Sequence, residues 1–155
     1  MSVVVRTVTR WIVAFIFLYG LYTVAYGHLS PGGGFPGGVI LSCAFVLMVL
    51  AWGKERALQH LPFRVAKGFD SAGGLLFLGV ALAGLMGAGT FFINFIQKRW
   101  PGTPMRLFNS GIIPLCNVAI AMKVCASLFL LAVALSALRV LAGGDESTFK
   151  AQEEE

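Results

Sequence analysis

The sequence predicts an all-α membrane protein of four transmembrane helices, with a Gly-rich loop between helices 1 and 2 and both termini cytoplasmic. Three observations carry this. Of 155 residues, 57% are hydrophobic and 12% charged, and the mean hydropathy is +0.82, a composition that soluble domains do not have. The apolar residues gather in four segments, about Val8–Tyr26, Val39–Trp52, Leu75–Ile96 and Ile112–Leu141, helix-like in content and without the ten-residue alternation of a transmembrane barrel. The basic residues are lopsided: Arg6, Arg10, Lys54, Arg56, Arg64, Lys67, Arg139 and Lys150 fall on one side, against Lys98, Arg99 and Arg106 on the other. The richer side is the cytoplasmic one.

The first helix, about 8–26, ends at Tyr26-Gly27-His28 with no small-x-small cleavage site and is followed directly by another apolar segment, so it reads as a retained span and not a signal peptide. A run from Gly27 to Gly38, GHLSPGGGFPGG, comes next. The fourteen apolar residues Val39–Trp52 would rise only about 21 Å as a helix, against a hydrocarbon core of about 30 Å. Either the helix starts inside the glycine run, at about 36–52 with Phe35 or Pro36 in its first turn, or the run itself lies partly at membrane depth, where irregular backbone survives only against protein or a wet cavity. A long exposed hairpin loop is the plain alternative.

The third helix is expected at about 75–96. Within it Gly79, Ala83 and Gly87 recur every fourth residue and make one face smooth, fit for close packing against a partner subunit or another helix of this chain. Asn94 near its end suits a bond to neighbouring backbone or a place on a water path. The fourth helix, at about 111–141, has Asn109 or Ser110 as its expected cap and Pro114 in its opening turn. Trp11, Trp52 and Trp100 fall near span ends, where indoles favour the interface. Residues 1–142 thus form a single transmembrane domain, and 143–155 form an acidic cytoplasmic tail.

Lys123 lies thirteen residues beyond Ser110, about 20 Å along the helix. A lysine at that depth costs about 2.5–3.5 kcal/mol on insertion scales, so it faces a bundle interior or a wet cavity. All seven acids, Glu55, Asp70, Asp145, Glu146 and Glu153–Glu155, fall outside the expected spans. Lys123 is therefore expected to be neutral, hydrated, bound to carbonyls, or paired with an acid from another subunit. Asn117 sits six positions earlier and about 120° around the helix, while Ser127 shares the Lys123 face. His28 is placed to titrate near neutral pH at the outer surface.

The net charge of +5 reflects topology and argues for no nucleic-acid partner. Cys43, Cys116 and Cys125 are odd in number and lack paired ligand spacing, so no disulfide framework and no metal site is expected. No nucleophile–base pair and no nucleotide loop appears, so neither catalytic residues nor a cofactor are assigned.

The motif Gly27-His28-Leu29-Ser30-Pro31-Gly32-Gly33-Gly34-Phe35-Pro36-Gly37-Gly38 after a first span, with Asn109-Ser110-Gly111-Ile112-Ile113-Pro114 through Lys123 opening the last, resembles the B subunit (MnhB/MrpB type) of multisubunit sodium/proton antiporters over nearly the whole chain. Similar B-like subunits occur in membrane-bound hydrogenases and related ferredoxin-linked respiratory complexes. The resemblance implies a non-catalytic subunit of a prokaryotic cell (inner) membrane, partnered by other integral membrane subunits and by sodium ions and protons within the lipid bilayer. It marks Pro31, Gly32, Gly33, Gly34 and Phe35 as motif residues, with Gly37 and Gly38 continuing the run, and Pro114 and Lys123 as counterparts in the last helix. The expectation for function is an ion path at a subunit interface that involves Lys123, Asn117, His28 and Pro114. The rival expectation is a scaffold whose smooth third span and glycine loop cement larger subunits.

Overall fold

The computed structural model describes residues 3–29, 32–96 and 110–153. Among them are five helices: α1 (Val3–Ala25), α2 (Gly34–Trp52), a short α3 (Lys54–His60), α4 (Phe63–Ala88) and α5 (Ile113–Glu153). Four are long and apolar enough to cross a membrane, namely α1, α2, Phe63–Met86 of α4 and Ile113–Leu138 of α5. They stand in a row, α1–α2–α5–α4, with α2 and α5 in the middle and α3 folded against α2. Membrane helices need no sealed interior, because lipid or a neighbouring chain can cover what remains. Large apolar side chains accordingly point outward, as with Trp11, Phe15 and Leu18 of α1.

Helix α2 resolves the length problem of the second span. It begins at Gly34, so Phe35 and Pro36 occupy its first turn, where a missing proline N–H costs nothing. Its 19 residues give a rise of about 28 Å. Gly34, Phe35, Gly37 and Gly38 are therefore helical, and only the preceding part of the run forms the connection. The glycines of α2 are contact surfaces. A Cβ on Gly34 would collide with the backbone of Asn117, one on Gly38 would lie 2.9 Å from the Ala121 carbonyl, and one on Gly37 would meet Val24 of α1. Removing the Cβ lets helix backbones approach closely, which in lipid is a main source of association.

Several boundaries differ from expectation: α1 begins at Val3 and α5 runs on to Glu153, and α4 differs at both ends. Helix α4 starts at Phe63 instead of Leu75 and ends at Ala88 instead of Ile96, where Gly89 takes the left-handed conformation and returns its N–H to the Leu85 carbonyl. The chain then doubles back so that Phe92 and Ile93 lie over Gly84. Hydropathy alone excluded the stretch from Arg64 to Asp70, but helix formation does not require every residue to be apolar when the charges reach an interface or a partner. Helix α5 starts at Ile113; of its two expected caps, Asn109 lies outside the described residues, and the Ser110 side chain makes no hydrogen bond to the helix start among the described residues. Asn94 holds it instead: its Oδ1 accepts from the Ile112 N–H at 3.2 Å and its Nδ2 donates to the Ser110 carbonyl at 3.1 Å. Helix α5 continues as backbone helix through the acidic stretch to Glu153.

The apolar core has two centres. At the α3 end of the row, Val49, Ala57, Ala66, Phe129 and Val133 pack together with Phe45, Met48 and Leu61 around them, and Phe129 is fully buried. Nearer the glycine run, Val24, Leu41 and Ala121 join α1, α2 and α5.

Candidate functional site

Lys123 has its partner in this chain. Its Nζ donates to Asp70 Oδ1 at 3.0 Å, and the Ser127 hydroxyl donates to the same oxygen. The expectation of a missing counter-charge is thereby corrected. Asp70 falls outside the expected third span, but α4 begins at Phe63 and makes it a membrane-helix residue. The seam that brings the pair together is built on small residues. Gly73, one turn beyond Asp70, faces the Ala119 carbonyl, the Lys123 N–H and the Lys123 Cβ, all within 3.0 Å of where a Cβ would stand. The lysine stem passes over Gly74.

The pair is not sealed. Within this chain the Lys123 side chain is 51% exposed and that of Asp70 30%. Asp70 lies about 10 Å along α4 from Phe63, and Lys123 about 15 Å along α5 from Ile113, so the open side of a charged pair sits inside the membrane-crossing spans of both helices. An ion pair at such depth offsets part of the cost of inserting each charge, provided the remaining lone pairs and protons find partners. Ser127 supplies one. Chemically, the carboxylate is a hard oxygen ligand, held by two donors of which one, the ammonium, is charged and mobile on a flexible stem.

A second cluster lies on the other side of α5. Asn117, 7% exposed, accepts from the Gly34 N–H through Oδ1 at 3.3 Å and so caps α2, whose own N-cap residue Gly33 offers no side chain. Gly33 has φ +63 and would set a Cβ 3.0 Å from Asn117 Oδ1, so both its backbone conformation and its neighbour select glycine. Asn117 Nδ2 is buried without a hydrogen-bond partner among the described residues, and it points at Gly27, where a Cβ would lie 2.9 Å away. His28 is half-buried beside this turn and Pro114 half-buried in the first turn of α5.

The four residues expected on one ion path thus divide. Asn117 faces α2 and the glycine turn, while Lys123 faces α4, as a separation of six residues around a helix requires. Pro31 of the motif lies outside the described residues, as do Lys98, Arg99, Trp100 and Arg106. Gly79 has nothing within 4 Å of its Cβ position and Ala83 is exposed. Gly79 and Ala83 therefore face away from the other described residues, and Gly73 and Gly84 make the contacts instead. Among the described residues no group of His, Cys, Asp and Glu could hold a metal ion. Sequence reasoning missed Asp70 and Gly73, although Ala66, Asp70 and Gly73 recur at helical spacing upstream of Leu75.

Comparison with known proteins accords with this architecture. A family model described as a domain related to the MnhB subunit of Na+/H+ antiporter matches residues 4–130. The chain belongs to the MnhB-related family. Sequences similar to it include an uncharacterised protein of Methanocaldococcus jannaschii, 34% identical over 79% of this chain and 47% of that protein. A Staphylococcus aureus (strain Newman) protein that carries the name antiporter subunit mnhB2 is 48% identical over 41% of this chain and 47% of its own length. The chain thus spans about half the length of these relatives. Among solved structures it resembles a chain of the membrane-bound sulfane sulfur reductase, an archaeal respiratory membrane complex, with a TM-score of 0.66 and 36% identity over 88% of this chain and 58% of that one. Family membership and four apolar helices make this MnhB-related chain a multi-pass membrane protein.

Proposed function

We propose that the chain is a membrane subunit of a multisubunit cation/proton antiporter or of an antiporter-like module, and that Asp70, Lys123 and Ser127 are its contribution to an ion path at a subunit interface. The observation that carries this reading is the half-open ion pair deep in two membrane-crossing helices. A sodium ion or proton arriving at Asp70 competes with the ammonium for the same carboxylate oxygen. The displaced ammonium swings on its stem toward the open side, and departure of the cation lets it return. Asp70 is the chain's sole acid within the four spans, so any further acceptor for the moving charge belongs to a neighbouring subunit. The glycine turn, Asn117 and Pro114 serve as the positioning element: they fix α5 against α2 and thereby set where Lys123 meets α4. Both termini are assigned to the cytoplasmic side, on the excess of basic residues there.

The likeness to a chain of a respiratory membrane complex favours a second reading, in which the same subunit works in a redox-driven assembly. Metal-binding subunits copurifying with this chain would select it. The test of the central proposal is coupled sodium/proton exchange in vesicles carrying the assembled complex with Lys123→Ala. Loss of most exchange with normal assembly is expected. Normal exchange with normal assembly would sink the proposal, and dissociation of the complex before any change in transport would favour the scaffold reading.

A further inference from the structure

At the α3 end of the row, Arg10 of α1 and Arg56 and His60 of α3 line one cavity of about 280 Å³, walled by Trp52, Val13 and Met48. Among the described residues neither guanidinium has an acidic side chain within ion-pair distance. All three side chains are exposed, so they form a basic rim of the kind that attracts anionic groups at a membrane surface. The place is informative as well. Arg10 stands about 10 Å along α1, deep enough that its stem runs along apolar surface while its head reaches the interface, and Trp52 closes α2 at the level where indoles settle.

A second cavity, of about 340 Å³ and almost wholly apolar, continues along the same seam. One helical turn links each wall of the first to the second: Val13 to Phe17 on α1, Met48 to Phe45 on α2, and Ala57 to Leu61 at the end of α3. Phe17 and Phe45 meet edge to face, with ring centroids 6.2 Å apart. A cationic pocket at the interface that opens, one turn deeper, into an apolar groove has the polarity of a phospholipid.

We propose that these two cavities form one binding site for an anionic phospholipid, with the headgroup phosphate held by Arg10, Arg56 and His60 and an acyl chain lying in the groove between α1 and α5. The site uses none of the ion-path residues, although Phe69 and Met122 of its groove are the chain neighbours of Asp70 and Lys123, so the two proposals are tested by separate substitutions. Anionic headgroups suit it better than zwitterionic ones, because a choline or ethanolamine cation would meet the same two guanidiniums. A free soluble anion would satisfy the charges and leave the groove unused.

The experiment is native mass spectrometry of the full chain, delipidated in detergent and then offered equal amounts of phosphatidylglycerol and phosphatidylcholine of matched acyl chains. Retention of phosphatidylglycerol over phosphatidylcholine by roughly tenfold or more is expected, given two arginines at about one decade each or slightly less. Arg10→Gln with Arg56→Gln should bring the ratio close to one, whereas Lys54→Gln with Arg64→Gln, which removes the same charge outside the pocket, should leave it. Equal retention of the two lipids by the unaltered chain would overturn the proposal, as would equal loss in both double variants, which would mean diffuse surface charge. Displacement of the retained lipid by millimolar inorganic phosphate would overturn it in favour of a soluble-anion pocket. The unaltered chain decides the lipid and phosphate comparisons by itself, so failure of a variant to fold leaves the proposal open to refutation.

Discussion

At the residue scale, the hydrophobic environment makes a charge and its partner a single unit. Removing Lys123 alone leaves Asp70 with one donor, Ser127, and an uncompensated charge facing the membrane interior. Lys123→Met combined with Asp70→Leu removes both charges and should recover stability relative to either single variant, by on the order of 1 kcal/mol in detergent, where solvent screens the open side. Thermal unfolding of the four proteins in a double-mutant cycle measures this. Gly34→Ala forces a methyl into the Asn117 backbone and should cost about 1–3 kcal/mol, as overpacked sites do. Gly79→Ala, where the Cβ position is open, should leave the isolated chain unchanged or slightly more stable, since alanine is the better helix former. Equal melting temperatures for these two variants would refute the packing role assigned to the glycine run.

At the scale of elements, helices α2 and α5 each borrow an asparagine from a distant segment at their start. Asn117 serves α2, and Asn94 serves α5. In lipid an open N–H has no water to turn to, so each borrowed amide ties a helix start to its neighbour. Asn117→Ala and Asn94→Ala should each cost about 1 kcal/mol or more, the usual worth of a cap. Each should raise amide exchange at the first turn of α2 or α5 respectively, and hydrogen-exchange mass spectrometry distinguishes the two ends. Much of this layer was legible in the sequence. Four apolar runs, a helix start in the glycine run and the depth of Lys123 follow from composition and rise per residue. What stayed hidden was the upstream extension of α4, because hydropathy counts Arg64, Lys67 and Asp70 as polar wherever they stand, whereas pairing across a seam depends on a residue 53 positions away in sequence. The asparagine caps were hidden for the same reason: Asn94 and Asn117 looked like generic helix-packing residues until the fold supplied their donors.

At the scale of the whole molecule, the row of helices places the connection between α1 and α2 at one end and α3 at the other. The charge asymmetry assigns the α3 end to the cytoplasm. With Cys43, Cys116 and Cys125 replaced by serine, His28→Cys should react with a membrane-impermeant maleimide added to intact cells, and Lys54→Cys only after the membrane is opened. The reverse pattern would invert the topology and, with it, the leaflet in which the phospholipid site lies.

A row also differs from a bundle in thickness. The row is bent, since α1 also touches α5, but α4 packs chiefly on α5 and the row there is one helix, about 10–12 Å, through. Any group on the seam between α4 and α5 therefore stands within one helix diameter of whatever flanks the row on either side. Lys123 and Asp70 occupy such a seam, half open on one side, and the distance across the protein there is comparable to the length of a lysine side chain with its hydration. If the pair carries ions as proposed, the thin seam gives them a short passage sideways, within the plane of the membrane, to whatever subunit flanks it.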